Sequence, residues 1–383
     1  MHQIQDFSGR EYYADEVVDI NFPDDQLKSV LTATDMDGTL FRGDLGILVF
    51  LEKLGQPSFW TFSVSKFKDL LLPDKYFRLL KKSAEGKISN IAPVRANEML
   101  NLREGIVNLY KLMKQLLKDG GDGLDLSNPI VMSFARMMIA YDDLIMRMDK
   151  DFGEHFQGEL LLRVRFFAGK NKHDVKGLTR TVLDRPIDSP DAYVDLKFDG
   201  DLINGDLGKK LRDLEGLGDL EMDRTALINE EVRRMIVNLG ILNGSAIRVV
   251  TTNLFDIASA AIENTSYGKI IHPGTEIATT LGVNGDSFTP RMDELPVFGP
   301  EKTRKAEAFA ALKGRRFAVA LGDSPSNDGP MMKRSVENGG VMFAVGDDFE
   351  KTRSRFNNLA MELVNSLGED SLGRMYFIES TKR

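Results

Sequence analysis

The sequence predicts an α/β protein built on a doubly wound parallel sheet, with a large, mainly helical segment inserted after the first strand. Three observations lead there. From residue 246 onward, short apolar runs ("AIRVV", "RFAVALG", "VMFAVG") are continuous rather than alternating, as in strands buried on both faces. Helical stretches at 254–265, 302–313, 329–337 and 348–366 separate them, which is the rhythm of repeated βαβ units. Between 46 and 245 the dominant pattern is instead helical periodicity, broken by Gly and Pro loops.

Taken in chain order, residues 1–28 read as an N-terminal arm, followed by a short strand over 29–34. Pro93 opens a long helical run that stops at the Gly120–Gly121 pair, and Ser127-Asn128-Pro129 opens another. A small hairpin is expected within 176–201, and the helical run "DRTALINEEVRRMIVNLG" ends at Gly240. A lone strand near residue 30 cannot be stable, so it belongs to the later sheet. One core then forms from 29–45 plus 246–383, and 46–245 is a helical insert.

The bulk composition narrows the function. A chain of 383 residues exceeds the usual size of one core. Hydrophobic content of 42% and charged content of 28% are those of an ordinary globular protein. A net charge of -8 argues against nucleic acid or an anionic membrane as partner. With no cysteine, thiolate metal sites, disulfides and cysteine nucleophiles are excluded. The polar, acidic N-terminus does not read as a signal peptide, and no segment reaches the roughly 18 apolar residues of a membrane span. A cytoplasmic location is expected. The histidines at 2, 155, 173 and 272 are scattered, so a histidine metal site is not expected. The stretch 118–129 reads as a loop rather than a calcium site, and the methionines at 132, 137, 138, 146 and 148 read as insert core.

Ligands of open α/β sheets gather outside the carboxyl ends of the strands. The first strand ends in "DMDGT", where Asp35 and Asp37, two residues apart, project to the same side of extended chain. Two carboxylates so close disfavour each other's ionisation unless a cation compensates, and Mg²⁺ is the natural candidate. The next strand ends in Thr251-Thr252-Asn253, hydroxyl and amide groups suited to phosphate oxygens or to a plain helix cap. Lys302 and Lys305 open a helix, where the dipole disfavours cations and their presence is mildly informative. A third strand ends in "GDSPSNDG", adding Asp323, Asn327 and Asp328.

In that order, "DMDGTL", "VVT", the lysine of "GPEK" and "GDSPSNDG" resemble the four motifs of the haloacid dehalogenase superfamily of phosphohydrolases. The context of the first and third motifs resembles its phosphoserine-phosphatase-like branch, where a cap (type C1) is inserted after the first motif. The resemblance covers about 29–45 and 246–346, and the insert matches nothing comparable.

The resemblance implies a Mg²⁺-dependent phosphatase acting on a small phosphorylated metabolite. Asp35 would be the nucleophile forming an aspartyl-phosphate, and Asp37 the general acid and then base. Thr251 and Lys302 would hold the transferring phosphoryl oxygens, with Gly38, Thr39, Thr252, Asn253 and Lys305 around the phosphate. Asp35, Asp323 and the Asp37 backbone carbonyl would hold the metal with Asp328 or Asn327. Two choices stay open: Lys302 or Lys305 as the motif lysine, and Asn327 or Asp328 as the residue facing the metal. Transfer of the phosphoryl group to an acceptor other than water, or a non-catalytic binding role, are the alternatives.

Overall fold

The structure is a computed structural model. It describes residues 4–23, 25–88, 91–120, 124–147, 165–189, 192–203, 205–214, 216–292 and 294–380, with the side chains of 146 and 147 excepted. The chain divides into two compact units: Met1–Leu45, Ala226–Thr280 and Glu294–Arg383 in one, Gly46–Thr225 and Leu281–Asp293 in the other.

The first unit is the α/β part. Its sheet runs, edge to edge, Glu11–Tyr12, Ile4–Asp6, Met375–Glu379, Val341–Gly346, Arg316–Gly322, Val30–Thr34, Ala246–Leu254, Ile277–Thr279. The six strands from Met375–Glu379 onward are mutually parallel, and the two N-terminal strands add an antiparallel edge. Residues 30–34 are buried at every position, so the strand expected over 29–34 does lie within the later sheet, between its neighbours. The helices Pro300–Leu312, Gly329–Glu337 and Phe349–Leu367 cover one face through a core that includes Ala33, Val250, Ala306, Ala320, Met332 and Phe356. Strand order reverses beside Val30–Thr34. The chain proceeds from there to Ala246–Leu254 on one side and returns with Arg316–Gly322 on the other. That reversal opens a crevice at the carboxyl ends of the two central strands.

The second unit is mainly helical. Its core centres on Phe59, Trp60, Phe67, Tyr110, Phe134 and Phe166. The Phe67 and Tyr110 rings stack with centroids 3.8 Å apart. The long helix Pro93–Lys118 and the helix Pro129–Arg147 follow the periodicity seen in sequence. Met137 and Met138 are buried in this core and Met132 packs against it, while Met148 lies outside the described residues. Among the described residues no helix is long and apolar enough to cross a membrane.

Several expected boundaries shift for physical reasons. The arm 1–28 contributes sheet: Ile4 to Asp6 pairs with Ile378 to Tyr376, the last strand, which the sequence reading did not identify. Residues 226–245, expected in the insert, pack with the first unit, because Phe41–Arg42 pairs antiparallel with Leu227–Ile228. Residues 281–293, expected in the core, form the hairpin Leu281–Asn284 and Ser287–Met292 and belong to the second unit. Reciprocal backbone bonds fasten it there: Gly169 N–H to Phe288 O at 2.8 Å, and Phe288 N–H to Lys170 O at 2.9 Å. The hairpin expected within 176–201 is replaced by the helix Lys172–Leu183 and a strand, Tyr193–Leu196. Its partner is Leu220–Asp223, beyond an intervening helix, so no local turn could have signalled it.

Candidate active site

The site lies in the α/β unit, at the carboxyl ends of the two central strands. Asp35 directly follows Val30–Thr34 and Asp323 directly follows Arg316–Gly322. The ladder continues one step past the strand, with Asp35 N–H donating to Leu321 O at 2.9 Å. Parallel pairing of neighbouring strands thus sets two carboxylates side by side although 288 residues separate them in sequence.

Gly38 makes this close approach possible. Its φ of +69° lies in the left-handed region, and a Cβ there would fall 2.2 Å from Asp323 Oδ2. No side chain fits between this turn and the Asp323 carboxyl. Gly322 has the same relation to Asp328, whose Cβ would stand 2.5 Å from an added Cβ.

Lys302 Nζ donates to Asp35 Oδ1 and to Asp328 Oδ1, both at 2.6 Å. The other Asp328 oxygen accepts the Asp323 and Ser324 N–H groups, each at 3.1 Å. Lys302, Asp35 and Asp328 are all buried. Carboxylate oxygens of Asp35, Asp323 and Asp328 lie within 4.8 Å of one another.

Burial and the Asp328 carboxylate push Asp35 up to about 7, although Lys302 pulls in the opposite direction. Burial, then Asp328 and Asp35, hold Asp323 well above the usual carboxylate range. For Lys302, burial disfavours the charged ammonium, but Asp328 and Asp35 outweigh it and raise its pKa above the ordinary value. With one ammonium against three carboxylates, full ionisation leaves two negative charges in a buried space. That imbalance is the physical mark of a place for a cation.

Asp37 is turned differently. Its Oδ1 accepts Leu45 N–H at 2.9 Å and its Oδ2 accepts the Asn253 amide at 2.6 Å. Asn253 N–H in turn donates to Thr251 Oγ1 at 3.2 Å. Thr251 is buried, and its hydroxyl has no acceptor among the described residues, so its proton remains available to a ligand. The Thr39 hydroxyl, in the turn after Asp35, is also buried and has no hydrogen-bond partner among the described residues.

Other sequence candidates are engaged elsewhere. The Thr252 hydroxyl donates to Val297 O at 3.0 Å. Lys305 pairs with Glu294 at 2.5 Å, so Lys302 is the lysine at the carboxylates. Asn327 Oδ1 accepts Gly299 N–H at 3.2 Å, which ties two loops together, while Asp328 joins the acidic cluster. His272 Nδ1 lies 3.0 Å from Pro273 O, and His2 and His155 fall outside the described residues.

Sequence reasoning missed the support beneath the turn that follows Asp35. The buried Tyr267 hydroxyl donates to Leu40 O at 2.9 Å, and its ring meets Phe41 edge-on at 5.6 Å. Asn229 N–H donates to the same Leu40 carbonyl at 2.9 Å while its side chain accepts Val232 N–H as a helix cap. The cap was legible in "INEEV". The contact with Leu40 was not, because it joins positions 189 residues apart.

No protein-family model matches the chain, and no curated protein matches it. Solved structures do resemble it. A conserved protein of unknown function from Anaerococcus prevotii DSM 20548 is similar over 97% of this chain and 94% of that one, at 12% identity and a TM-score of 0.54. A HAD family hydrolase from Salmonella enterica serovar Typhi is 10% identical, over 85% of this chain and 65% of that one, with a TM-score of 0.36. A protein of unknown function from Bordetella pertussis Tohama I is 11% identical, over 86% and 96%, with a TM-score of 0.38. At such identities a likeness bears on fold alone.

Proposed function

We propose that this protein is a Mg²⁺-dependent phosphatase of the haloacid dehalogenase type, hydrolysing a small phosphomonoester through an aspartyl-phosphate on Asp35. The observation that carries the reading is the convergence of Asp35, Asp323, Asp328 and Lys302 at the carboxyl ends of adjacent parallel strands, with Asp37 held two residues away. The donor set fits Mg²⁺, since it consists of hard anionic oxygens with two uncompensated negative charges. Asp35, Asp323 and Asp328 would hold the ion. When bound it would offset the negative charge of the phosphoryl group and of these carboxylates.

The remaining chemistry belongs to side chains. In the first step a bond forms from an Asp35 oxygen to phosphorus as the ester P–O bond breaks, and Asp37 gives its proton to the leaving oxygen. In the second step Asp37 takes a proton from water as that water attacks phosphorus, releasing inorganic phosphate and regenerating Asp35. Lys302 keeps Asp35 oriented and its charge compensated, and the free Thr251 proton is available to a phosphoryl oxygen. Phosphate-monoester hydrolysis needs up to about 10²¹-fold acceleration, beyond the roughly 10²- to 10⁴-fold of any single proton-transfer group. A nucleophile, an acid, an ammonium and a cation acting together are on the scale required.

The test is phosphate release from a panel of phosphorylated metabolites with Mg²⁺, with EDTA, and in Asp35→Asn. Metal-dependent release that vanishes in the variant supports the proposal. Undiminished release by Asp35→Asn would refute it, and phosphorylated acceptor in excess of free phosphate would identify a transferase instead.

A further inference from the structure

We propose that Asn253 is a positioning residue for Asp37 rather than a ligand of the phosphoryl group, an inference that rests on the phosphatase reading above. Asn253 is the penultimate residue of the strand Ala246–Leu254 and is 1% exposed. Its backbone is fixed by the bond from its N–H to Thr251 Oγ1. Its side-chain nitrogen lies 2.6 Å from Asp37 Oδ2. A carboxylate only accepts hydrogen bonds, so the NH₂ end of the amide is the end that faces it.

Two donors to Asp37 come from different elements and serve different oxygens. Leu45 N–H, at the first residue of the helix Leu45–Leu54, serves Oδ1. Asn253 serves Oδ2. One bond alone would leave the carboxyl free to rotate about its last torsion, whose energy profile is broad for aspartate. Two bonds, one to each oxygen, restrain the plane of the carboxyl group. The Leu45 donor is main chain and stays whatever residue occupies 253, whereas the bond to the second oxygen is lost with the Asn253 amide.

Fixed orientation matters because the same carboxyl acts twice, on the leaving oxygen and then on water. Misplacement of a reacting group by about 1 Å can cost on the order of 10²-fold in rate. The two half-reactions do not depend on Asp37 equally when the leaving group is a good one. Nitrophenolate leaves with little help from an acid, whereas the attack of water always needs the base. Loss of positioning therefore slows the second half-reaction more than the first with such a substrate, and phosphoenzyme accumulates.

The experiment is pre-steady-state hydrolysis of p-nitrophenyl phosphate by Asn253→Ala in the full chain with Mg²⁺, beside wild type and Asp35→Asn. The expected result is a fall in kcat of about 10- to 100-fold with KM falling in parallel, so that kcat/KM, which reports the first half-reaction, changes by less than about threefold. A burst approaching one nitrophenolate per active site is expected to precede the slow phase. Asn253→Ser, small and polar, replaces the alanine variant should that one not fold, since it too lacks a donor that reaches Asp37. A KM raised tenfold or more with kcat intact and no burst would make Asn253 a phosphate ligand and overturn the proposal. Unchanged kcat and KM would overturn it equally, while both results leave the phosphatase reading standing. An inactive wild type, or an Asp35→Asn variant as active as wild type, would instead overturn the phosphatase reading and this proposal with it.

Discussion

Replacing the buried Asp35 carboxyl is expected to stabilise the metal-free protein. Asp35 has a pKa raised from 3.8 to about 7, by burial first and by Asp328 second. A carboxyl whose pKa is higher folded than unfolded binds its proton more tightly in the folded state. Below about pH 4 both states hold the proton and the group leaves stability unchanged. As pH rises toward 7 the unfolded state ionises first and the folded state loses stability, and above about 7 the loss is complete. The rise in pKa corresponds to a ceiling of about 4 kcal/mol. Asparagine has the shape of the protonated acid, so Asp35→Asn recovers what ionisation costs. In EDTA at pH 8 the variant is expected to be about 2–4 kcal/mol more stable than wild type, with the gain shrinking to near zero by pH 4. Urea denaturation across that pH range at constant m measures it directly. On the proposed Mg²⁺ site, saturating Mg²⁺ should narrow the gap, because it would bind the folded wild type through the carboxylate that the variant lacks. A variant less stable than wild type at pH 8 in EDTA, or a difference that does not change with pH, would refute the electrostatic reasoning.

The other expectations concern neighbours of Asp35. Lys302→Met leaves Asp35 and Asp328 buried without their ammonium and should cost about 3–5 kcal/mol in EDTA at pH 8, and less at pH 5, below the raised pKa of Asp35, where that carboxyl holds its proton. A urea-measured loss that did not diminish at pH 5 would contradict this. Gly38→Ala adds about 1–2 kcal/mol of left-handed backbone strain and a Cβ 2.2 Å from Asp323 Oδ2. Its Mg²⁺ affinity by calorimetry should fall with its stability, and an unaltered affinity would count against Asp323 as a ligand. Thr252→Val breaks the bond to Val297 O and should cost about 0.5–1.5 kcal/mol while leaving turnover near wild type. Lys305→Met should leave kcat/KM within about twofold, because Lys305 pairs with Glu294 and not with the acidic cluster.

The parallel core was readable because strands buried on both faces require continuous apolar runs, as in Val341–Gly346. The edge strands Ile4–Asp6 and Glu11–Tyr12 were not, being short, partly exposed and without such a run. The hairpin Leu281–Asn284 and Ser287–Met292 shows the same limit. Its own pairing is local, but its place in the helical unit depends on Lys170 and Gly169, more than a hundred residues earlier.

The candidate site divides along the same line. By itself the sequence determined the residue types at the strand ends: paired aspartates with a glycine, a threonine, lysines at a helix start, and a further acidic turn. Those are local requirements of strand-end chemistry, and local spacing expresses them. Only the tertiary structure decided between equivalent neighbours. Lys302 and Lys305 are both near the start of one helix, yet Lys302 turns inward to Asp35 and Asp328 while Lys305 turns to Glu294. Asn327 and Asp328 are adjacent, yet one ties down Gly299 and the other joins the carboxylates. Asn253 reads in sequence as a phosphate ligand or a plain cap, and the fold sets its amide against Asp37. The physical reason is that a side chain's partner is fixed by strand order and helix rotation, which depend on packing over the whole domain. Residue identity specifies which chemistry is possible, and packing specifies which atom meets which.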